Sequence, residues 1–192
     1  MSVLLYPQYT PEITAMLTTA SAVAVAKSIE KVSDKHADIK WINDVYIKGK
    51  KVCGILCESS FSNSNPNKVE YVVVGIGINL CNPKGDFPKE IRQTAASVFE
   101  KIAPDDKTVC MLCAEIVNSL LEYSSSLSER SFLCEYKKRL FMLGKEINVI
   151  TPNETYRAVA TDIDDEAHLI VTLPDLTKKT LSAGEISIRS LE

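Results

Sequence analysis

The residue types able to do chemistry are concentrated between Lys40 and Asn79. Lys40-Trp41-Ile42-Asn43-Asp44 sets a cation, an amide and a carboxylate within five residues. Lys51 follows, then Gly54-Ile55, and the stretch closes with Gly75-Ile76-Gly77-Ile78-Asn79. A lysine ammonium is a compact point charge on a long stem, suited to neutralising a carboxylate or phosphate. Glycines inside apolar strands remove side chains and let another molecule approach the backbone. A packing-only sheet calls for neither feature. The stretch reads as a cradle for a small ligand.

The elements that must position these residues are two strands and a hairpin. Val45 to Leu56 alternates around Gly49-Lys50, which predicts a two-residue type II′ turn. That register pairs Ile47 with Val52 and Val45 with Gly54. Asp44, Tyr46, Lys48, Lys51, Cys53 and Ile55 then share the other face. Asp44 and Lys51 are expected about 13 Å apart along the hairpin, too far for a salt bridge and right to bracket a small molecule. An edge hairpin with solvated lysines fits the same residues. Tyr71 to Ile78 is a continuous apolar run, expected of a strand buried on both faces. Gly75 and Gly77 fall on one face of it, and Asn79 ends it, where side chains reach ligands in α/β sheets. The two glycines could equally relieve crowding against a helix.

Lys-Trp-x-Asn-Asp, Lys-x-x-Gly-Ile-Leu and Gly-x-Gly-Ile-Asn, in this order and spacing, resemble the biotin protein ligase family. The family usually has Pro between Trp and Asn, where this chain has Ile42. The resemblance covers nearly the whole chain. It implies an α+β fold: a mixed β-sheet packed with helices, of the class II synthetase or biotin/lipoate ligase kind, then a small SH3-like β-barrel. The expected division is residues 1–143 for the core and 144–192 for the barrel. The ending Ala183-Gly184-Glu185-Ile186-Ser187-Ile188-Arg189 resembles that barrel's last strand. Ala95-Ala96-Ser97-Val98 is similar to a family segment beside the nucleotide.

The resemblance implies ATP-dependent attachment of biotin to a lysine of a biotin carboxyl-carrier domain, through biotinyl-AMP. Lys51 and Asp44 would be catalytic. Lys40, Asn43, Gly54, Ile55, Gly75, Gly77 and Asn79 would bind biotin and nucleotide, and Asp44 and Asn79 would hold Mg²⁺. The family's Gly/Arg-rich loop has no counterpart in the 192 residues; Arg92, Arg130, Arg139, Arg157 and Arg189 stand singly. Removing preorganised donors costs a few kcal/mol each, so impaired activity is expected. A non-catalytic binding remnant, a subunit of a split ligase, and a lipoate or octanoyl transferase relative are the alternatives. Missing first strands would leave a sheet edge open, so a homodimer or a complementing N-terminal chain is expected. The family's DNA-binding module has no counterpart either, and repression of transcription is not expected.

Composition agrees with one core and a small appended module: 192 residues, 45% hydrophobic, net charge −3. Basic residues are scattered, which argues against a nucleic-acid surface. No apolar run reaches the ~20 residues that span a bilayer, and a cytoplasmic location is expected. The six cysteines are expected reduced, with Cys110 and Cys113 facing a core. His36 and His168 are assigned no chemistry.

In chain order, Ser2–Tyr6 reads as a strand and Ile13–Val32 as one long Ala-rich helix. Ser59–Lys68 reads as a connection and Cys81–Pro88 as a loop. Pro88–Ile102 reads as partly helical. Lys107–Tyr123 and Ser128–Leu143 read as helices, with Arg130, Lys137, Lys138 and Arg139 on a solvated face. Strands follow at Lys145–Ile150, Tyr156–Ile163, Leu169–Leu173 and Glu185–Ile188.

Overall fold

A computed structural model describes residues 1–82, 86–151, 154–182 and 184–188. Residues 83–85 of the Cys81–Pro88 loop, and Ala183 and Arg189 of the C-terminal stretch, lie outside them. The architecture is α+β, with two five-stranded sheets and helices packed on the first.

The first sheet has strands β1 (Ser2–Leu5), β2 (Asp38–Lys40), β3 (Asp44–Ile47), β4 (Lys50–Ser62) and β5 (Asn65–Ile78), in the order β1-β5-β4-β3-β2. Neighbouring strands pair antiparallel. Parallel contacts are isolated bridges, among them Lys51 with Ala95. β4 and β5 run on through the stretch expected to be a connection, turning between Ser62 and Asn65. Polar Ser and Asn side chains there alternate along an exposed ribbon, so composition did not mark the strands.

Helices α1 (Pro11–Ala15) and α2 (Leu17–Ser33) replace the single expected helix. At Met16 the N–H turns back to the Ile13 carbonyl, and the Met16 carbonyl accepts from the Thr19 hydroxyl as well as from the Ala20 N–H. Along α2, Ala20, Ala22, Val23, Ala24, Val25 and Ala26 are wholly buried. Small side chains all round let the helix lie close to the sheet on one side and to α3 (Asp106–Ser125) on the other. Asp105 caps α3 by accepting from the Thr108 N–H. On α3, Leu112, Ile116 and Leu120 face inward, while Leu121 and Cys110 face out. Pro88–Ile102 forms turns rather than a helix.

The last expected helix shortens to a 3₁₀ turn at Leu127–Glu129 and α4 (Leu133–Arg139). Arg139 is not solvated. It is buried, and its guanidinium donates to both carboxylate oxygens of Glu30, to Glu135 and to the Ala37 carbonyl. A cation at that depth needs such partners. It ties α4 to α2 and to the entry of β2.

The second sheet has β6 (Glu146–Ile150), β7 (Thr155–Ile163), β8 (Leu169–Thr172), β9 (Lys178–Leu181) and β10 (Glu185–Ile188), in the order β10-β6-β7-β8-β9. It is the SH3-like part of the fold. No pairing of β9 with β10 closes it among the described residues. β9 was not anticipated, because its Lys-Lys-Thr run carries little apolar alternation. Among the described residues no helix is long and apolar enough to cross a membrane.

Candidate functional site

The first sheet buries one face against the helices and leaves the other open. Val45, Val52, Ile55, Val72, Val74 and Ile76 supply the buried face. On the open face, Lys40 stands opposite Asp44, Asp44 opposite Gly54, and Gly54 opposite Gly77. Directly opposed residues share a face, so these four form one row across four strands. The next row is Ser2, Gly75 and Leu56. β5 is therefore buried on one face only, and its glycine face looks away from α2. A Cβ at Gly77 would come no nearer than 3.8 Å to Gly54 O, and one at Gly75 no nearer than 3.4 Å to Leu56 O. Crowding against a helix does not require these glycines.

The hairpin register differs from the expected one. Lys48 and Gly49 both have positive φ, which makes them the two central residues of the turn, with Ile47 opposite Lys50. Tyr46 then faces Lys51 and Val45 faces Cys53, leaving Val52 as an extra, bulged residue. Lys51 shares the Asp44 side of the sheet, as expected, and the bulge shortens the separation of the two along the hairpin. Lys51 Nζ lies 2.6 Å from Asp44 Oδ1, an ion pair where a wide gap was expected. Gly54 makes room for it: a Cβ there would lie 3.2 Å from both Cε and Nζ of Lys51.

Asn43 ties the turn before β3 to β4. Its side-chain amide donates to the Ile55 carbonyl at 2.6 Å, and its own carbonyl accepts from the Ile55 N–H at 3.1 Å. The Ile55 side chain is core, so only its backbone belongs to the site.

Two hollows meet at this row. One, of about 460 Å³, lies over the open face and is lined by Ser2, Asn43, Asp44, Leu56 and Gly75 among others. The other, of about 300 Å³, is lined by Tyr46, Cys53, Asn79, Ile91, Thr94 and Ala95. Lys51, Gly54 and Gly77 line both. A strap forms one wall of the second hollow. The Lys51 N–H donates to Thr94 O, the Ala96 N–H to Lys51 O, the Asn79 side-chain amide to Ala96 O, and the Val98 N–H to Asn79 O. The Ala95–Val98 segment is thus laid across the ends of β4 and β5, beside Lys51 and Asn79. Tyr46, Ile91 and Thr94 were not anticipated as lining residues. Only the parity shared by Tyr46 and Lys51 hinted at one of them.

The electrostatics are set by few groups. Burial, with the Asp44 carboxylate nearby, pushes the Cys53 thiol up to about 12; the side chain lies on the buried face opposite Val45 and is not placed as a nucleophile. Asp44 and Asn79 line different hollows, and Lys40 lines neither. Among the described residues, three metal-ligating side chains converge only at Asp164, Glu166 and His168, in the second sheet.

Two family models match the chain. Residues 1–79 match the biotin/lipoate A/B protein ligase family, and residues 142–189 match the biotin protein ligase C terminal domain. The bifunctional ligase/repressor BirA of Bacillus subtilis is 30% identical over 185 residues, covering 95% of this chain and 56% of the relative. The chain spans little more than half the length of that protein. The apo structure of biotin protein ligase from Aquifex aeolicus superposes with a TM-score of 0.77 at 23% identity, covering 98% of this chain and 80% of the other. The same enzyme in complex with biotin and ATP gives 0.75 at 22% identity, covering 98% and 76%. At these identities the two structures speak to the fold. The paired family models, in order along one chain that also carries the glycine-floored row, show that it belongs to the biotin protein ligase family.

Proposed function

We propose that this chain binds biotin and ATP, forms biotinyl-AMP, and passes biotin to a lysine of a biotin carboxyl-carrier domain in the cytoplasm. The observation that carries the reading is the position of Lys51, over a glycine floor where two hollows meet. The open-face hollow would take the biotin ring system against Gly75 and Gly77. The strapped hollow would take the nucleotide, with Asn79 at its edge. A carboxylate and an α-phosphate arriving from opposite sides would then meet at the Lys51 ammonium.

In the first step a biotin carboxylate oxygen attacks the α-phosphorus, the bond to the bridging oxygen breaks, and pyrophosphate leaves. In the second, the carrier amine attacks the acyl carbon of the mixed anhydride, AMP leaves, and the amine loses a proton. Lys51 would offset the negative charge of both reactants, which lets them approach. Asp44 holds that ammonium in place before the ligands arrive. Asn43 and Lys40 would frame the site, and Gly54 and the Ile55 backbone would let the ligand lie close.

ATP chemistry brings Mg²⁺, which supplies charge neutralisation on the phosphates. It commonly binds through one or two carboxylates plus phosphate oxygens, and the donor set suits that mode: Asp44 would offer the carboxylate and Asn79 an amide oxygen from the neighbouring hollow. The same reading takes residues 1–143 as the catalytic core and 144–192 as the appended domain. The outer edge of β1 has no paired strand among the described residues, and Leu4 on β1 is exposed. That supports a second copy or a complementing chain adding there.

Biotin-dependent exchange of labelled pyrophosphate into ATP tests the first step. The expected result is exchange that requires biotin and is lost in Lys51→Ala. Exchange that persists in Lys51→Ala would overturn the assignment of Lys51.

A further inference from the structure

Trp41 and Ile42 lead directly into Asn43 and Asp44, and each is held by a distant part of the chain. The Trp41 indole N–H donates to the Ala167 carbonyl at 2.9 Å. The Tyr136 hydroxyl donates to the Ile42 carbonyl at 2.9 Å. Trp41, Tyr136 and Ala167 are all buried. A buried donor with a single acceptor is strongly held, because leaving it unpaired carries the full desolvation cost.

Ala167 belongs to the five-residue loop between β7 and β8 and has a φ of 63°. Alanine adopts that conformation only where its surroundings impose it. Here the Asp164 side chain does so. Asp164 Oδ1 accepts from the backbone N–H groups of Glu166 and His168, and Oδ2 lies 3.0 Å from His168 Nδ1. The Ala167 N–H donates to Asp164 O, and the Asp164 N–H to His168 O. Arg130 pairs with Glu166 at 3.0 Å and fixes the loop against the first part of the chain.

We infer that the Asp164–His168 loop of the second sheet is a positioning device for the site: its Ala167 carbonyl holds Trp41, and Trp41 sets the turn that presents Asn43 and Asp44. The route is continuous. Asp164 shapes the loop, the loop aims Ala167 O, Ala167 O fixes the indole, and two residues later Asn43 makes its paired hydrogen bonds with Ile55. Trp41 and Asp164 are positioning residues and touch no ligand. The meaning of the device for catalysis rests on the proposed function; its existence does not.

The test is amide hydrogen exchange on the whole chain without ligand, read at Ile55, whose N–H donates to Asn43 O. Ala20, whose N–H donates to Met16 O in the core helix, is the reference. Trp41→Phe removes the indole N–H and keeps an aromatic ring. Asp164→Ala unties the loop from the far side, and Asp164→Asn keeps an oxygen for the two backbone donors. The expected result is exchange at Ile55 at least tenfold faster in Trp41→Phe and in Asp164→Ala, with Ala20 unchanged. The double variant should show no further increase, and Asp164→Asn should restore most of the protection. Unchanged Ile55 protection in Trp41→Phe, or equal acceleration at Ile55 and Ala20, overturns the inference. Biotin titration of the same variants is read separately: failure of wild type to bind biotin would strike the proposed function and leave the exchange result standing.

Discussion

Lys51 Nζ and Asp44 Oδ1 are 2.6 Å apart, joined across a β-bulge at Val52 on the open face of the first sheet. The pair is poised and accessible: the Lys51 side chain keeps 42% of its exposure and Asp44 keeps 19%. An incoming anion can therefore share the ammonium with Asp44.

Replacing either partner should affect chemistry far more than stability. Ion pairs this exposed contribute about 0–1 kcal/mol. Lys51→Ala and Asp44→Asn should each shift the melting temperature by no more than about 4 °C. Loss of a charge aimed at a developing transition state costs on the order of 10²-fold or more in rate. Thermal melts beside pyrophosphate-exchange assays check both halves.

Gly54→Ala sets a methyl 3.2 Å from the end of Lys51. The lysine is a flexible stem and can swing aside, so stability should change little. Biotin affinity should fall about tenfold, because the ammonium leaves its place over the glycine floor. Gly49→Ala is the converse case. Nothing lies within 4 Å of a Cβ there, but φ is +75°. It should cost about 1 kcal/mol in denaturant unfolding and leave biotin binding intact.

Arg139 and Glu30 govern acid stability. Burial pushes the Glu30 carboxyl up, but hydrogen bonds from Arg139 and the Ala37 N–H, with the Arg139 charge, outweigh it and hold the group at about 2. A depressed folded-state value means stability that is fully present above the ordinary value of 4.5 and is lost as pH falls towards 2. Glu30→Gln should remove that part of the pH dependence between 4.5 and 2. Arg139→Ala strands two carboxylates and should cost about 3–5 kcal/mol. Urea unfolding at a series of pH values measures both.

Cys53 should resist alkylation. Its thiol is buried and pushed up to about 12, whereas Cys110 and Cys134 are exposed. Iodoacetamide at pH 8, followed by peptide mass spectrometry, should label Cys110 and Cys134 while Cys53 stays unmodified until the chain is denatured.

The parts of this site that were legible in the sequence are those set by local rules. Strand alternation put Gly75 and Gly77 on one face, and the end of the apolar run put Asn79 at a strand terminus. The register of the hairpin was not legible. Gly49 can serve as the first central residue of one turn type or the second of another, and the Val52 bulge carries no side-chain signature. The observed register makes Lys51 a direct partner of Asp44 rather than a distant point along the hairpin. The burial of Arg139 is not legible locally, because Glu30 and the Ala37 carbonyl lie about a hundred residues away in sequence. The contact of Trp41 with Ala167 is of the same kind: packing of Trp41 was foreseeable from its type, but its acceptor was not.

The most direct test of the account is calorimetric titration of the chain with biotin, with ATP and Mg²⁺, and with all together. The account predicts binding of each, tighter for either when the other is present, with the coupling lost in Lys51→Ala because the two hollows meet at that ammonium. Binding of neither ligand, or binding of both with no coupling, would contradict it.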